Sequence, residues 1–360
     1  MRDRDFEAAW LTVRLGAIAE NYKDFRRLAG SAAAAGVVKA DGYGLGAEFV
    51  APALAAAGCD TFFVARLEEG IALRNVLKDA RIFVLDGAPA DAVPALIAHR
   101  LTPALNTLAQ IAAYGAGASG RRDAAIHIDT GMNRLGLTQE ELSLLAAEWR
   151  TRLRNINPVL LMSHLACGDE PKNKMNGAQL TRFRAALAML PPAPASLVAS
   201  GGAYLGPAYH FDLIRPGIGL YGGAPQEGGP PLRTAAILSA RVLQLRRIDR
   251  GESVGYAATF HAKRPTMLAT VALGYAAGIP RALSNKGIAH AGAGRATYVG
   301  RVSMDMTILD VTDLPDVKVG DVVELLGDHV PLEVMASLAG TNAYEILTGL
   351  KLPRHYVDAA

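Results

Sequence analysis

From about residue 12 to residue 222 the chain alternates between two textures. Stretches at 15–28, 67–78, 140–153 and 179–190 carry the three-to-four-residue apolar spacing of amphipathic helices. Short runs rich in Val, Ile, Leu and Phe lie at 36–40, 60–65, 81–86, 101–106, 124–129, 159–165, 196–200 and 213–221, and read as buried strands. Eight runs interleaved with helices predict an α/β fold with an N-terminal (β/α)8 TIM-like barrel. A doubly wound sheet has the same texture; the count favours the barrel. Most runs end on a polar or reactive residue: Lys39, Asn106, Asp129, His164, Ser200 and Arg215. The C-terminal strand ends of such a barrel form its active-site face, so these residues are expected to converge.

The texture changes after the Pro/Gly-rich stretch 225–231, which reads as a linker. Strand-like runs follow at 235–246, 267–273, 296–299, 306–311 and 322–326, with a short helix at 331–338. The expected division is a barrel over 1–232 and a mostly β domain over 233–360. The first ten or so residues are free to join the β domain.

Composition narrows the function classes. A net charge of +3 over 360 residues and no dense Lys/Arg tract argue against nucleic acid as a partner. No uncharged apolar run is long enough to cross a membrane, and the charged start of the chain is not followed by the apolar core of a secretory signal. Two cysteines, Cys59 and Cys167, exclude a disulfide framework and suit a reducing, cytoplasmic setting. Neither lies in a metal-ligand spacing, so no metal is expected.

The segment Val37-Val38-Lys39-Ala40-Asp41-Gly42-Tyr43-Gly44 closes the first strand. A lysine behind two valines is partly desolvated, which lowers its pKa and frees the amine for Schiff-base chemistry. Read alone, the same lysine is also compatible with a barrel-rim residue in an ion pair.

That segment resembles the cofactor-lysine signature of alanine racemases. Further motifs extend the resemblance in order along the chain: Asp129-Thr130-Gly131-Met132-Asn133-Arg134-Leu135-Gly136, Ser163-His164-Leu165-Ala166, Ser200-Gly201-Gly202 and Arg215-Pro216-Gly217-Ile218-Gly219-Leu220-Tyr221-Gly222. In the β domain, Leu273-Gly274-Tyr275-Ala276 and Gly300-Arg301-Val302-Ser303-Met304-Asp305 are similar to the two segments that enter a partner's site in that family.

The resemblance implies a pyridoxal 5'-phosphate enzyme that interconverts L- and D-alanine. Lys39 would carry the cofactor. Tyr43, Ser200, Gly217, Ile218 and Tyr344 would hold its phosphate. Arg215 would donate to the pyridine nitrogen. His164 would sit beside the ring, and Arg134 would contact the phenolate oxygen and the substrate carboxylate region. Racemisation removes a proton from one face of Cα and returns one to the other, for which two groups are the simple solution. Lys39 would serve one face and Tyr275 of a second copy the other, in a homodimer with shared active sites. Phenol has a reference pKa near 10, so a tyrosine base needs positive surroundings; Arg215 and His164 are the expected source. Met304 and Asp305 would line the substrate pocket from the partner chain, and a narrow entrance between Tyr344 and Tyr275 would favour a methyl side chain.

Four positions depart from the family pattern. His127 stands where many members have a lysine, often carbamylated, that supports the arginine here numbered 134. Ala199 replaces a common asparagine, Ala277 a common aspartate and Ser303 a common cysteine. Three other readings stay open. A racemase of wider specificity would take serine or larger substrates. A non-catalytic pyridoxal-phosphate-binding barrel would lack the β domain. A barrel-plus-β decarboxylase would want a carboxylate where Arg215 stands.

Overall fold

The computed structural model describes residues 7–226 and 228–358. A parallel sheet runs in chain order through Gly36–Val37, Thr61–Val64, Arg81–Val84, Thr102–Leu105, Arg122–His127, Ile156–Met162 and Ala195–Ser196. The eighth strand, Leu213–Ile214, pairs in parallel with Ala33–Ala34, the opening half of the first strand. Ala35 N–H and Val37 N–H donate to the carbonyls of Ile214 and Pro216 at 2.9 and 3.0 Å. Asp212 N–H reaches Ala195 O at 3.0 Å, and Arg215 N–H reaches Val198 O at 2.9 Å. These bonds join the eighth strand to the first on one side and to the seventh on the other, so the sheet closes into the expected (β/α)8 barrel. Helices such as Leu15–Leu28, Leu67–Val76, Gln139–Arg152 and Lys174–Met189 cover its outside.

Several elements differ from the sequence reading at their ends. The run 159–165 is a strand over Ile156–Met162, and 213–221 divides into the strand Leu213–Ile214 and a 3₁₀ turn over Ile218–Tyr221. Ile218, Leu220 and Tyr221 are buried, but by a turn pressed against the first helix; a Cβ on Gly219 would lie 2.5 Å from the Phe25 ring. An apolar run records burial, and burial is shared by strands and packed turns.

The C-terminal region is antiparallel. Six strands close on themselves: Ala236–Ile248, Thr266–Val271, Thr307–Asp310, Gly294–Tyr298, Ile288–Ala291 and Val322–Leu326. Register shifts in the long strand, one of them between Val242 and Gln244, let its two halves serve different neighbours. Ala9–Arg14 leaves the barrel altogether. It pairs antiparallel with Ala236–Ile248 and in parallel with Arg354–Val357. The strands Ile288–Ala291 and Arg354–Val357 and the seven-residue helix Ala343–Gly349 carry too little apolar patterning to have been expected. One continuous hydrophobic core runs through both regions, from Leu11 to Leu350.

The turn after Lys39 is where the two regions meet. Ala40, Asp41, Gly42 and Tyr43 all have φ between 52° and 62°, a complete left-handed turn that costs roughly 1–2 kcal/mol at each non-glycine residue. Its surroundings hold it. The Glu69 carboxylate accepts Ala40 N–H at 2.7 Å and Ala65 N–H at 2.8 Å. Asp41 accepts Ala47 N–H at 2.9 Å and pairs with Arg354 at 2.6 Å. Gly44 has φ 83°, and a Cβ there would lie 2.5 Å from Leu347 O in the C-terminal helix.

Candidate active site

A cavity of about 140 Å³ opens at the C-terminal ends of the barrel strands. Lys39, Tyr43, Arg134, His164, Ser200, Arg215, Gly217, Ile218 and Tyr344 all line it. Nine residues singled out in the sequence thus share one space. Tyr344 reaches it from the C-terminal helix of the same chain. Among the lining residues there are three cationic side chains and no carboxylate, so the cavity suits an anionic ligand.

Lys39 makes no hydrogen bond or ion pair among the described residues, which disfavours the rim ion-pair reading. Burial lowers its pKa, and the Arg134 charge lowers it further; Glu69 and Asp86 oppose the shift. The left-handed turn then carries Tyr43 under the eighth strand end. Its hydroxyl is so close that a Cβ on Gly217 would lie 2.2 Å away. Tyr43 stacks on Tyr221 at 4.6 Å between ring centroids, and Tyr221 anchors its own hydroxyl on Val37 O at 2.9 Å. Burial raises the pKa of both Tyr43 and Tyr344, so both remain neutral hydrogen-bond donors.

Ser200 opens the short helix Ser200–Ala203 rather than capping it from outside; the cap residue is Ala199. The Ser200 hydroxyl accepts Gly217 N–H at 2.8 Å and Gly219 N–H at 3.1 Å. Those N–H groups, the Ser200 hydroxyl and the two phenols form a cradle of neutral donors around small residues. A phosphate group fits such a donor set.

Arg215 is 4% exposed. It donates from Nη1 to Ser196 Oγ and from Nη2 to Ser163 O at 2.6 Å, and its guanidinium carbon lies 5.8 Å from the centre of the Phe63 ring. Burial brings its pKa down to about 10, which leaves it charged at neutral pH. A fixed, buried, obligate donor at the cavity floor suits an acceptor atom such as a ring nitrogen.

His164 is held well below the usual histidine range, by burial first and then by the Arg215 charge. It is therefore neutral, and the positive charge expected of the Arg215–His164 pair resides on Arg215 and Arg134. His127 also lines the cavity. Burial and Arg215 bring its pKa down to about 4. Its Nδ1 lies 2.7 Å from Asn106 Oδ1, and Asn106 uses its own amide N–H on Leu85 O at 3.0 Å. Nδ1 must then carry the proton, leaving Nε2 as an acceptor. Where the resemblance leads one to expect a lysine, this chain has a neutral ring.

The other strand-end residues are supports. Asp129 accepts N–H groups from Gly131, Met132 and Asn133 at 2.8–2.9 Å and so shapes the loop that bears Arg134. Phe63, Leu85 and Met162, in or beside the barrel strands, and Leu135, in the Arg134 loop, also line the cavity and were not singled out, because an apolar residue carries no chemical signal of its own. Glu69 was missed for the opposite reason: a charged residue on a helix looks like solvated surface.

Three expected residues lie outside the cavity. Tyr275, Met304 and Asp305 sit on the C-terminal domain; Tyr275 and Met304 are 42% and 54% exposed, and Asp305 is exposed too. They form one unit, because Tyr275 N–H donates to Ser303 O at 3.0 Å and Ala276 N–H to Met304 O at 2.9 Å. Gly274 permits that approach: a Cβ there would lie 2.4 Å from both carbonyl oxygens.

Comparison with known proteins agrees with this arrangement. Residues 13–225 match the family model "Alanine racemase, N-terminal domain", and residues 235–356 match "Alanine racemase, C-terminal domain". The chain is 46% identical to an alanine racemase of Rhodospirillum rubrum, over 99% of this chain and 98% of the relative. It is 47% identical to a catabolic alanine racemase of Agrobacterium fabrum, over 97% and 92%. Its fold superposes on the crystal structure of alanine racemase from Bartonella henselae with covalently bound pyridoxal phosphate, with a TM-score of 0.94, 39% identity and coverage of 98% and 100%. The match to a C-terminal domain model sets aside a single-domain barrel. With the fold, the cavity and both domain matches in agreement, the chain belongs to the alanine racemase family.

Proposed function

We propose that this chain interconverts L- and D-alanine with pyridoxal 5'-phosphate, as a homodimer with shared active sites. The observation that carries the reading is the single cavity that gathers Lys39, Arg134, Arg215, Tyr43, Ser200 and Tyr344 without a carboxylate. When bound, the cofactor supplies the electron sink that acidifies Cα–H. Ser200, Gly217, Ile218, Tyr43 and Tyr344 hold its phosphate. Arg215 would donate to the pyridine nitrogen without giving up its proton, which would moderate the sink and disfavour decarboxylation and transamination. His164, neutral, lines the cavity and would sit beside the ring. Arg134 binds the phenolate side and the substrate carboxylate.

Lys39 would carry the cofactor, and its free amine would hold or remove a proton on one face of Cα. Its desolvated amine is suited to this. The partner's Tyr275 serves the other face, and the partner's Met304 and Asp305 line the substrate pocket. Exposure of the Tyr275–Met304 unit on the isolated chain favours this reading, since an outward tyrosine needs another molecule to act upon. We assign residues 1–232 to the barrel and 233–360 to the β domain, with the strand Ala9–Arg14 passing to the latter. No helix among the described residues is long and apolar enough to cross a membrane. Two unpaired cysteines suit the cytoplasm.

The test is racemisation of a panel of L-amino acids with added pyridoxal phosphate. D-alanine should form fastest. Faster turnover of serine or a larger amino acid would favour the wider-specificity racemase. No D-product from any substrate would refute the reading.

A further inference from the structure

Gln179 lies on the outer helix Lys174–Met189 and is fully buried. Its amide reaches three segments at once. Oε1 accepts Ala166 N–H at 2.8 Å, and Nε2 donates to His164 O at 2.9 Å and to Thr130 Oγ1 at 3.1 Å. The amide can sit only one way round, because a flip would oppose N–H to N–H and oxygen to oxygen.

The network continues inward. Thr130 Oγ1 lies 2.8 Å from Ser163 Oγ, and Ser163 O accepts the Arg215 guanidinium at 2.6 Å. Thr130, Ser163 and Arg215 are 3%, 1% and 4% exposed, so water does not compete for these bonds. Thr130 also belongs to the loop that presents Arg134, and its carbonyl is held by Arg182 Nη1 at 2.9 Å. One side chain thus ties together the backbone around His164, the acceptor on which Arg215 rests and the root of the Arg134 loop.

We infer that Gln179 is a positioning residue for the cofactor face of the site, setting His164 and the Arg215 guanidinium through the Ser163–Ala166 backbone. The inference rests on the racemase reading above. Gln179 touches neither the cavity nor any reacting atom. Its effect passes through the orientation of Arg215 and His164, and so belongs to the chemical step more than to alanine binding.

The sharpest variant is Gln179→Glu. It keeps size and the acceptor for Ala166 N–H, but sets a carboxylate oxygen against His164 O. In the holoenzyme we expect kcat about tenfold lower at pH 8, the scale seen when an outer partner of a site ligand is lost. KM for alanine should stay within about twofold, and the visible absorbance of bound pyridoxal phosphate should change. A buried carboxylate facing a carbonyl is readily protonated. The protonated form can donate again, so activity relative to wild type should rise as pH falls. Gln179→Met removes donor and acceptor together and should show the kcat loss without the pH recovery; it also carries the test if the glutamate variant does not fold. A lowered melting temperature with unchanged kcat and absorbance in the folded variants would make Gln179 purely structural and overturn the inference. A wild-type enzyme that forms no D-alanine would instead refute the racemase reading.

Discussion

In the barrel, Lys39 and Arg215 come from the ends of the first and last strands, yet one chain brings them into a single enclosed space. On the C-terminal domain, Tyr275 and Met304 are just as firmly placed by backbone hydrogen bonds, but they face outward. The two regions differ in what completes them. The barrel's own closure desolvates its polar residues and shifts their pKa values. The Tyr275 ridge acquires an environment only when something covers it. Burial within a chain tunes chemistry that the fold alone can specify, whereas an exposed unit takes its chemistry from assembly.

Mixing experiments test that contrast most directly. Lys39→Ala and Tyr275→Phe should each lower kcat by about 10²–10⁴-fold, the usual worth of a positioned acid or base. Lys39→Ala should also abolish the visible absorbance of bound cofactor. Combined and re-equilibrated in equal amounts, the two variants should recover about one quarter of wild-type activity. Half of the dimers are then mixed, and each mixed dimer rebuilds one intact site. No recovery would place both residues' functions within one chain and remove the contrast.

Gly217→Ala tests how tightly the barrel side is built. The added Cβ would lie 2.2 Å from the Tyr43 hydroxyl, so Tyr43 must move. We expect cofactor affinity to fall by about 10-fold or more, as overpacking costs about 1–3 kcal/mol. A fluorescence titration of the apoenzyme reads this. Unchanged affinity would argue against the phosphate cradle.

Acid should weaken the barrel through His127. Its folded pKa is depressed to about 4 from an ordinary 6.5, by burial first, then by Arg215 and Arg134, with Asp129 opposing. The unfolded chain therefore takes the proton first. This contribution is present above about pH 6.5 and is lost as pH falls toward 4, by at most about 3 kcal/mol. His164 acts in the same direction. His127→Asn should flatten the acid side of the denaturant midpoint measured from pH 8 to pH 5. An unchanged slope would mean that His127 is charged in the native state. The smallest effect is expected from Glu69→Gln, which keeps one acceptor for the N–H groups of Ala40 and Ala65. It should cost about 1 kcal/mol, read as a modest drop in melting temperature.

Legibility followed the same division. The eight apolar runs were plain because a buried parallel strand is apolar throughout, but their ends were blurred wherever a packed turn continued the burial, as at Ile218–Tyr221. The sequence left the first ten or so residues free to join either region, because a short segment such as Ala9–Arg14 can be a strand in both; only its partners at Ala236–Ile248 and Arg354–Val357 decide where it belongs. Ile288–Ala291, with alanines and a histidine, carries little signal, and its pairing comes from neighbours already in place. Lys39 stood out by its two valines. Gln179 and Glu69 did not, since a polar residue on a helix looks the same whether it meets water or a strand end.

The sequence by itself determined the barrel-plus-β architecture, because strand periodicity is a local property, and its motifs carried the resemblance that implied the family and the residues that meet in the cavity. Only the tertiary structure decided the protonation of those residues and their supports. The neutrality of His164 and His127, the single orientation of Gln179 and the left-handed turn after Lys39 each depend on groups distant in the chain. Desolvation and hydrogen-bond geometry are set by what surrounds an atom in space, and order along the chain does not contain that information.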